Sequence, residues 1–125
     1  MKMAIEYKSP PIGQEISCVM KNISVEILLN ENKLKKLLEL ALTKEKFTIL
    51  KKIYRSFSPK GFTALILLAE SHLAMHTYPE YNALYINMYS CRGPKDAESV
   101  FDFLKQKLNP KKILFFKKGE VPIKN

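Results

Sequence analysis

Residues 62–69 read FTALILLA, a run in which only Thr63 is polar, bounded by turn-forming residues. It is far short of the roughly 20 apolar residues that a membrane span requires, and its length suits a central strand covered on both faces. Helices can supply one cover; the other must be equally apolar. A chain of 125 residues builds one core layer between a sheet and its helices but not two independent cores. The second cover, like any deep ligand cleft, is therefore expected from a second copy of the chain.

The rest of the pattern fits a single domain around that strand. QEISCVMK (14–21) alternates Ile16, Cys18 and Met20 with polar neighbours and reads as a strand. In NENKLKKLLELALTKEK (30–46), Leu34, Leu37, Leu38, Ala41 and Leu42 fall at helical spacing, with Asn30 or Asn32 as cap. FTILKKIYRSF (47–57) reads as a strand, and SPKG (58–61) is a turn in which Gly61 can take positive φ. YNALYINMYS (81–90) continues as strand, PKDAESVFDFLKQKLN (94–109) is an amphipathic helix opening at Pro94, and KKILFFKK (111–118) is a short basic-edged strand. The order β-α-β-β-β-α-β predicts an α+β two-layer sandwich of one mainly antiparallel sheet packed by two helices, dimerising. Residues 1–12, with Pro10 and Pro11, are expected to lie outside regular structure.

Net charge is +9, and residues 105–125 carry seven Lys against Glu120 alone. Such a tail suits RNA, an anionic membrane surface or an acidic partner; a solvated, solubilising face is the favoured reading, since no aromatic-interleaved nucleic-acid motif is present. MKMAIEYKSPPIGQE lacks the apolar core of an export signal. A cytoplasmic location is expected, with Cys18 and Cys91, 73 positions apart, as free thiols rather than a disulfide.

Both histidines, His72 and His76, fall in ESHLAMHTYPE (70–80) beside Ser71 and Glu70. On a helix, i, i+4 imidazoles would share a face and could hold a metal, but no paired-Cys or HExxH pattern supplies the remaining ligands. Two ordinary loop histidines are a second reading. In the third, Ser71 is a nucleophile with a histidine as its base. A serine hydrolase is a poor version of that third reading: the chain has no G-x-S-x-G elbow, and Ser71 stands at the end of an apolar strand without glycine freedom around it.

ESHLAMHTYPE closely resembles the processing-site motif E-S-H-L-x-x-H-T-W-P-E of the short prokaryotic S-adenosylmethionine decarboxylases, whose pyruvoyl cofactor is made from their own serine. FSPKGFT (57–63) resembles that family's F-x-P-x-G-V-S/T, and Cys91 in INMYSCRG stands where IDVFTCG has its cysteine. GPKDA (93–97) and KKG (117–119) echo later family motifs.

The resemblance implies a proenzyme that cuts itself between Glu70 and Ser71 into a beta chain, 1–70, and an alpha chain, 71–125, acting as a dimer of cleaved protomers. In the implied roles Ser71 attacks the Glu70 carbonyl, Thr63 donates to the oxyanion, and His76 removes the α-proton of residue 71. The pyruvoyl group left at position 71 would form a Schiff base with S-adenosylmethionine for spermidine synthesis. Cys91 would return a proton to the substrate, a task that suits a thiol because free thiols, with pKa about 8.5, are mostly protonated at neutral pH, and Glu80 would bind the substrate. Cys18 reads as a buried apolar residue.

Several positions depart from the family: Glu15 for His, Arg55-Ser56 where a second His is usual, Ala64 for Gly, Tyr78 for Trp, Asn82 for Gly and Asn87 for Asp. These bear on substrate more than on self-cleavage. Pyruvoyl-dependent arginine or ornithine decarboxylases, and a non-catalytic basic module of the same fold, are the alternatives.

Overall fold

A computed structural model describes residues 10–92 and 95–124. Six strands form one antiparallel sheet: β1 (Ile12–Lys21), β2 (Ile49–Ser56), β3 (Phe62–Leu68), β4 (Ser71–Tyr78), β5 (Ala83–Ser90) and β6 (Lys112–Pro122). Their spatial order is β2-β3-β4-β5-β1-β6. Three α-helices are present among the described residues, α1 (Val25–Leu29), α2 (Glu31–Lys44) and α3 (Asp96–Leu108), and a single 3-10 turn, Pro79–Tyr81, joins β4 to β5.

The expected two-layer α+β sandwich is the fold observed. Asn30 caps α2, its Oδ1 accepting from the Lys33 amide at 3.1 Å. The helix buries Leu34, Leu38, Ala41 and Leu42; α3 buries Val100, Phe101 and Leu104. Between helices and sheet these side chains meet Ile16, Cys18, Met20, Ile66, Leu73, Met75, Ile86 and Met88 in one core. Each fully buried large side chain contributes about 1.5–3 kcal/mol relative to exposure. Gly61 takes φ +120° in the β2–β3 turn, as the sequence predicts.

Three features differ from the expectation. Residues 71–78 form an additional strand: Leu73, Met75 and Thr77 are buried at period two, while His72, Ala74, His76 and Tyr78 lie on the other face. The short helix α1 precedes α2. Strand β6 continues beyond Lys118 to Pro122, paired along β1 with a bulge between Ser17 and Val19. The start of the second amphipathic helix at Pro94, and residues 1–9 of the expected extension, lie outside the described residues; Ile12 itself opens β1.

Strand β3 is second from one edge of the sheet, not central. Its helix-facing side is buried, but on the opposite face Leu65 and Leu67 remain 45% and 52% exposed, beside Ile53 at 53%. These flank a 320 Å³ hollow floored by Leu65, Leu67, His72 and Ala74. The apolar run therefore has a single cover within one chain.

Candidate active site

The two residues Ala69 and Glu70 connect β3 to β4, with Leu68 paired to Ser71. Ser71 adopts φ +148°. The other non-glycine residues with positive φ, Asn22, Lys46, Asn82, Asn109 and Phe115, lie between 49° and 63°, in the ordinary left-handed well. Among the described non-glycine residues Ser71 alone stands far outside it, in a region that costs such a residue about 1–3 kcal/mol.

What surrounds this residue holds it there. The Glu70 carbonyl, on the peptide bond N-terminal to Ser71, accepts the Cys91 amide at 3.0 Å. Ser71 Oγ lies 3.1 Å from Cys91 Sγ. The Glu70 side chain is turned inward, 9% exposed. One carboxylate oxygen accepts the Thr48 amide at 3.0 Å and the other the Thr48 hydroxyl at 3.1 Å. Cys91 follows the end of β5, and the next residue fastens it: Arg92 donates Nε to Asp96 and Nη2 to the Glu45 carbonyl, both at 2.8 Å. Its guanidinium lies 4.1 Å from the Phe47 ring centroid, a cation–π contact.

Thr63 and His76 form a second cluster. They pair across β3 and β4, and Thr63 Oγ1 lies 2.9 Å from His76 Nδ1. With Nδ1–H donated to Thr63, Nε2 keeps the free lone pair that a base needs. The His76 ring stacks on Tyr85 at 6.3 Å. Thr63, His76, Tyr78 and Glu80 line a shallow 220 Å³ hollow.

The expected site residues thus divide into two groups. Glu70, Ser71 and Cys91 meet at one end of β4; Thr63, His76 and Glu80 meet at the other. Five residues of extended chain separate Ser71 from His76, about 17 Å. Within one chain, Thr63 serves His76 and not the Glu70 carbonyl, where the Cys91 amide is the donor instead. The helical metal pair also fails, because His72 and His76 sit four residues apart on a strand, about 14 Å. His72 stacks on Tyr89 at 6.3 Å.

Sequence reasoning did not find Thr48, Arg92 or the Cys91 amide. Thr48 lies in a strand-like run with no local signal of function. A backbone donor has no residue signature.

The sequence profile of the S-adenosylmethionine decarboxylase family matches residues 14–117. The chain belongs to that family. Among curated relatives of the S-adenosylmethionine decarboxylase family, the S-adenosylmethionine decarboxylase proenzyme of Thermoplasma acidophilum is 33% identical over 102 residues, covering 82% of this chain and 78% of the relative. The proenzyme of Aquifex aeolicus is 31% identical over 102 residues, with 82% and 76% covered. A crystal structure of the adenosylmethionine decarboxylase from Aquifex aeolicus superimposes with a TM-score of 0.79 at 28% identity, over 93% of this chain and 92% of that one. The family's fold is thus shared over nearly the whole chain. No helix among the described residues is long and apolar enough to cross a membrane.

Proposed function

We propose that this chain is a proenzyme that cleaves its own Glu70–Ser71 bond, and that the product decarboxylates S-adenosylmethionine in polyamine synthesis. The observation that carries the reading is the strained Ser71, φ +148°, following a carbonyl already hydrogen-bonded by the Cys91 amide at 3.0 Å. Converting an amide to an ester is uphill in a relaxed peptide. Strain released on leaving this conformation, and an N–H donor aimed at the developing oxyanion, both favour it.

The steps follow from the residues. Ser71 Oγ bonds to the Glu70 carbonyl carbon and the C–N bond breaks, giving an ester and a free amine on residue 71. A base, His76, takes the α-proton; the electron pair forms a Cα=Cβ double bond and expels the Glu70 carboxylate. Water adds to the resulting enamine, ammonia leaves, and a pyruvoyl group remains at position 71. That group supplies an electrophilic ketone able to draw in the electron pair left by departing CO2. The Cys91 thiol, beside residue 71, is suited to return a proton to the substrate.

His76 needs a second chain for this role. The uncovered sheet face carries Leu65, Leu67, His72 and His76, and a homodimer that stacks two such faces gives FTALILLA its missing apolar cover. A two-fold axis running across the strands sets one end of β4 against the other end of its partner strand. Each Ser71 end then meets a Thr63–His76 end, twice, as an isologous interface requires. Glu80, beside His76, would face the same cleft.

The relatives' names favour S-adenosylmethionine over arginine and ornithine as substrate. Intact mass tests the whole reading. Cleavage yields fragments of 70 and 55 residues from the 125, the second reacting with ketone reagents and starting in a blocked group. A single full-length species after prolonged incubation overturns it; labelled CO2 release from the three substrates, side by side, then ranks them.

A further inference from the structure

Strain at one residue persists only where its neighbours over-determine the backbone, and at Ser71 most of that constraint runs through Thr48. The two-residue Ala69–Glu70 turn has little rigidity of its own. Thr48 grips it at three points: its carbonyl accepts the Ala69 amide at 2.9 Å, and its amide and hydroxyl donate to the two oxygens of the Glu70 carboxylate at 3.0 and 3.1 Å. The fourth point is the Cys91 amide on the Glu70 carbonyl. Glu70 is thereby held by side chain and main chain together. Rotation of the turn, the easiest way for Ser71 to relax, is blocked.

We infer that Thr48 is a positioning residue for self-cleavage: by clamping the Glu70 carboxylate it keeps the scissile carbonyl on the Cys91 amide and Ser71 in its strained conformation. The inference rests on the self-cleavage reading above. There is also an electrostatic reason for the clamp. An oxyanion forms on Glu70 during the acyl shift, and a free carboxylate on the same residue would repel it. Two donors from Thr48 disperse part of that charge and hold the carboxylate turned inward.

The segment that bears Thr48 also serves the opposite side of the bond. Arg92 anchors the Cys91 loop to the Glu45 carbonyl and the Phe47 face, three and one residues before Thr48. Residues 45–48 thus set the spacing between the scissile carbonyl and its donor. The hold of Thr48 on the scissile carbonyl ends with the cut, since afterwards residue 71 is no longer bonded to Glu70.

The test follows conversion of the full-length proenzyme by intact mass for wild type, Thr48→Val, Thr48→Ser, Glu70→Ala and the double variant Thr48→Val/Glu70→Ala. Loss of a hydrogen bond to a charged group predicts cleavage slowed about tenfold or more in Thr48→Val. Thr48→Ser keeps the hydroxyl and should cleave within about twofold of wild type. Once cleaved, Thr48→Val should turn over normally per ketone formed. In the Glu70→Ala background the Thr48→Val change should add less than about twofold, because its partner is already gone. Cleavage of Thr48→Val at the wild-type rate, or fully additive effects in the double variant, overturns the inference while leaving self-cleavage intact. A wild-type chain that never cuts overturns the reading beneath it.

Discussion

Cys91 addresses Glu70 and Ser71 through two different atoms. Its backbone amide donates to the Glu70 carbonyl at 3.0 Å, while its thiol lies 3.1 Å from the Ser71 hydroxyl. In the proposed self-cleavage one residue therefore offers a main-chain group to the bond that would break and a side chain to the group that would be left behind. The first survives any ordinary substitution; the second does not.

Substitution should separate these two roles. Cys91→Ala keeps the amide and is expected to self-cleave at close to the wild-type rate, as judged by intact mass. Decarboxylation by the cleaved product should fall by about 100-fold or more, the usual scale for losing a positioned proton donor. Full activity in Cys91→Ala would remove the thiol from the mechanism. Ser71→Ala, lacking the nucleophile, should stay a single 125-residue species.

The separation between Ser71 and His76 makes a prediction about pairs of chains. Alone, Ser71→Ala and His76→Ala should both remain uncut. Mixed by co-refolding, a Ser71→Ala chain can lend its intact His76 to the Ser71 of a His76→Ala partner. Fragments carrying the His76→Ala mark should then appear, and none from the Ser71→Ala chain. Mixtures that stay wholly uncut would mean that His76 does not act across an interface.

The uncovered sheet face should be needed for that interface and not for the fold. Leu65 is 45% exposed in the single chain and lies opposite Ile53 and Ala74. Leu65→Lys leaves the core on the helix side untouched, so the thermal midpoint of the monomer should change little. Across a two-fold interface it buries two like charges without partners. Sedimentation should show a monomer, and self-cleavage should stall with it. A Leu65→Lys dimer that cleaves normally would place the interface elsewhere.

How far the sequence revealed these features depends on the range of the interactions concerned. Periodicity is local, so α2, with Leu34, Leu38, Ala41 and Leu42 on one face, was legible, as was the apolar run 62–69. Strand β4 is less legible: Leu73, Met75 and Thr77 alternate, but Ala74 on the opposite face is apolar as well and blurs the period. The proposal that Glu70, Ser71, His76 and Cys91 belong to a site came from a contiguous motif and one spaced cysteine. Their partition into two ends of a strand could not, because nothing in ESHLAMHTYPE declares an extended backbone of about 17 Å between Ser71 and His76. Thr48 and Arg92 act across 22 and 47 positions of sequence, and only the folded chain brings them to Glu70 and Glu45.

The two cysteines should respond differently to reagents and to pH. Cys18 is 1% exposed on the core face of β1. Burial pushes its thiol up from an ordinary 9.0 to about 11, with Lys105 pulling weakly the other way. Cys91 is half-buried beside Ser71. Iodoacetamide on the native protein at about pH 8.5, the ordinary thiol range, should therefore modify Cys91 and spare Cys18 until denaturant is added. The raised value also sets the sign of a stability change. The native state keeps the Cys18 proton where the unfolded chain gives it up, so stability is fully present below 9.0 and declines as pH rises towards about 11. Denaturation of Cys18→Ala across that window should show a shallower decline than wild type, even though its cavity makes it less stable overall. Equal slopes, or rapid native labelling of both thiols, would mean that Cys18 is reached by solvent.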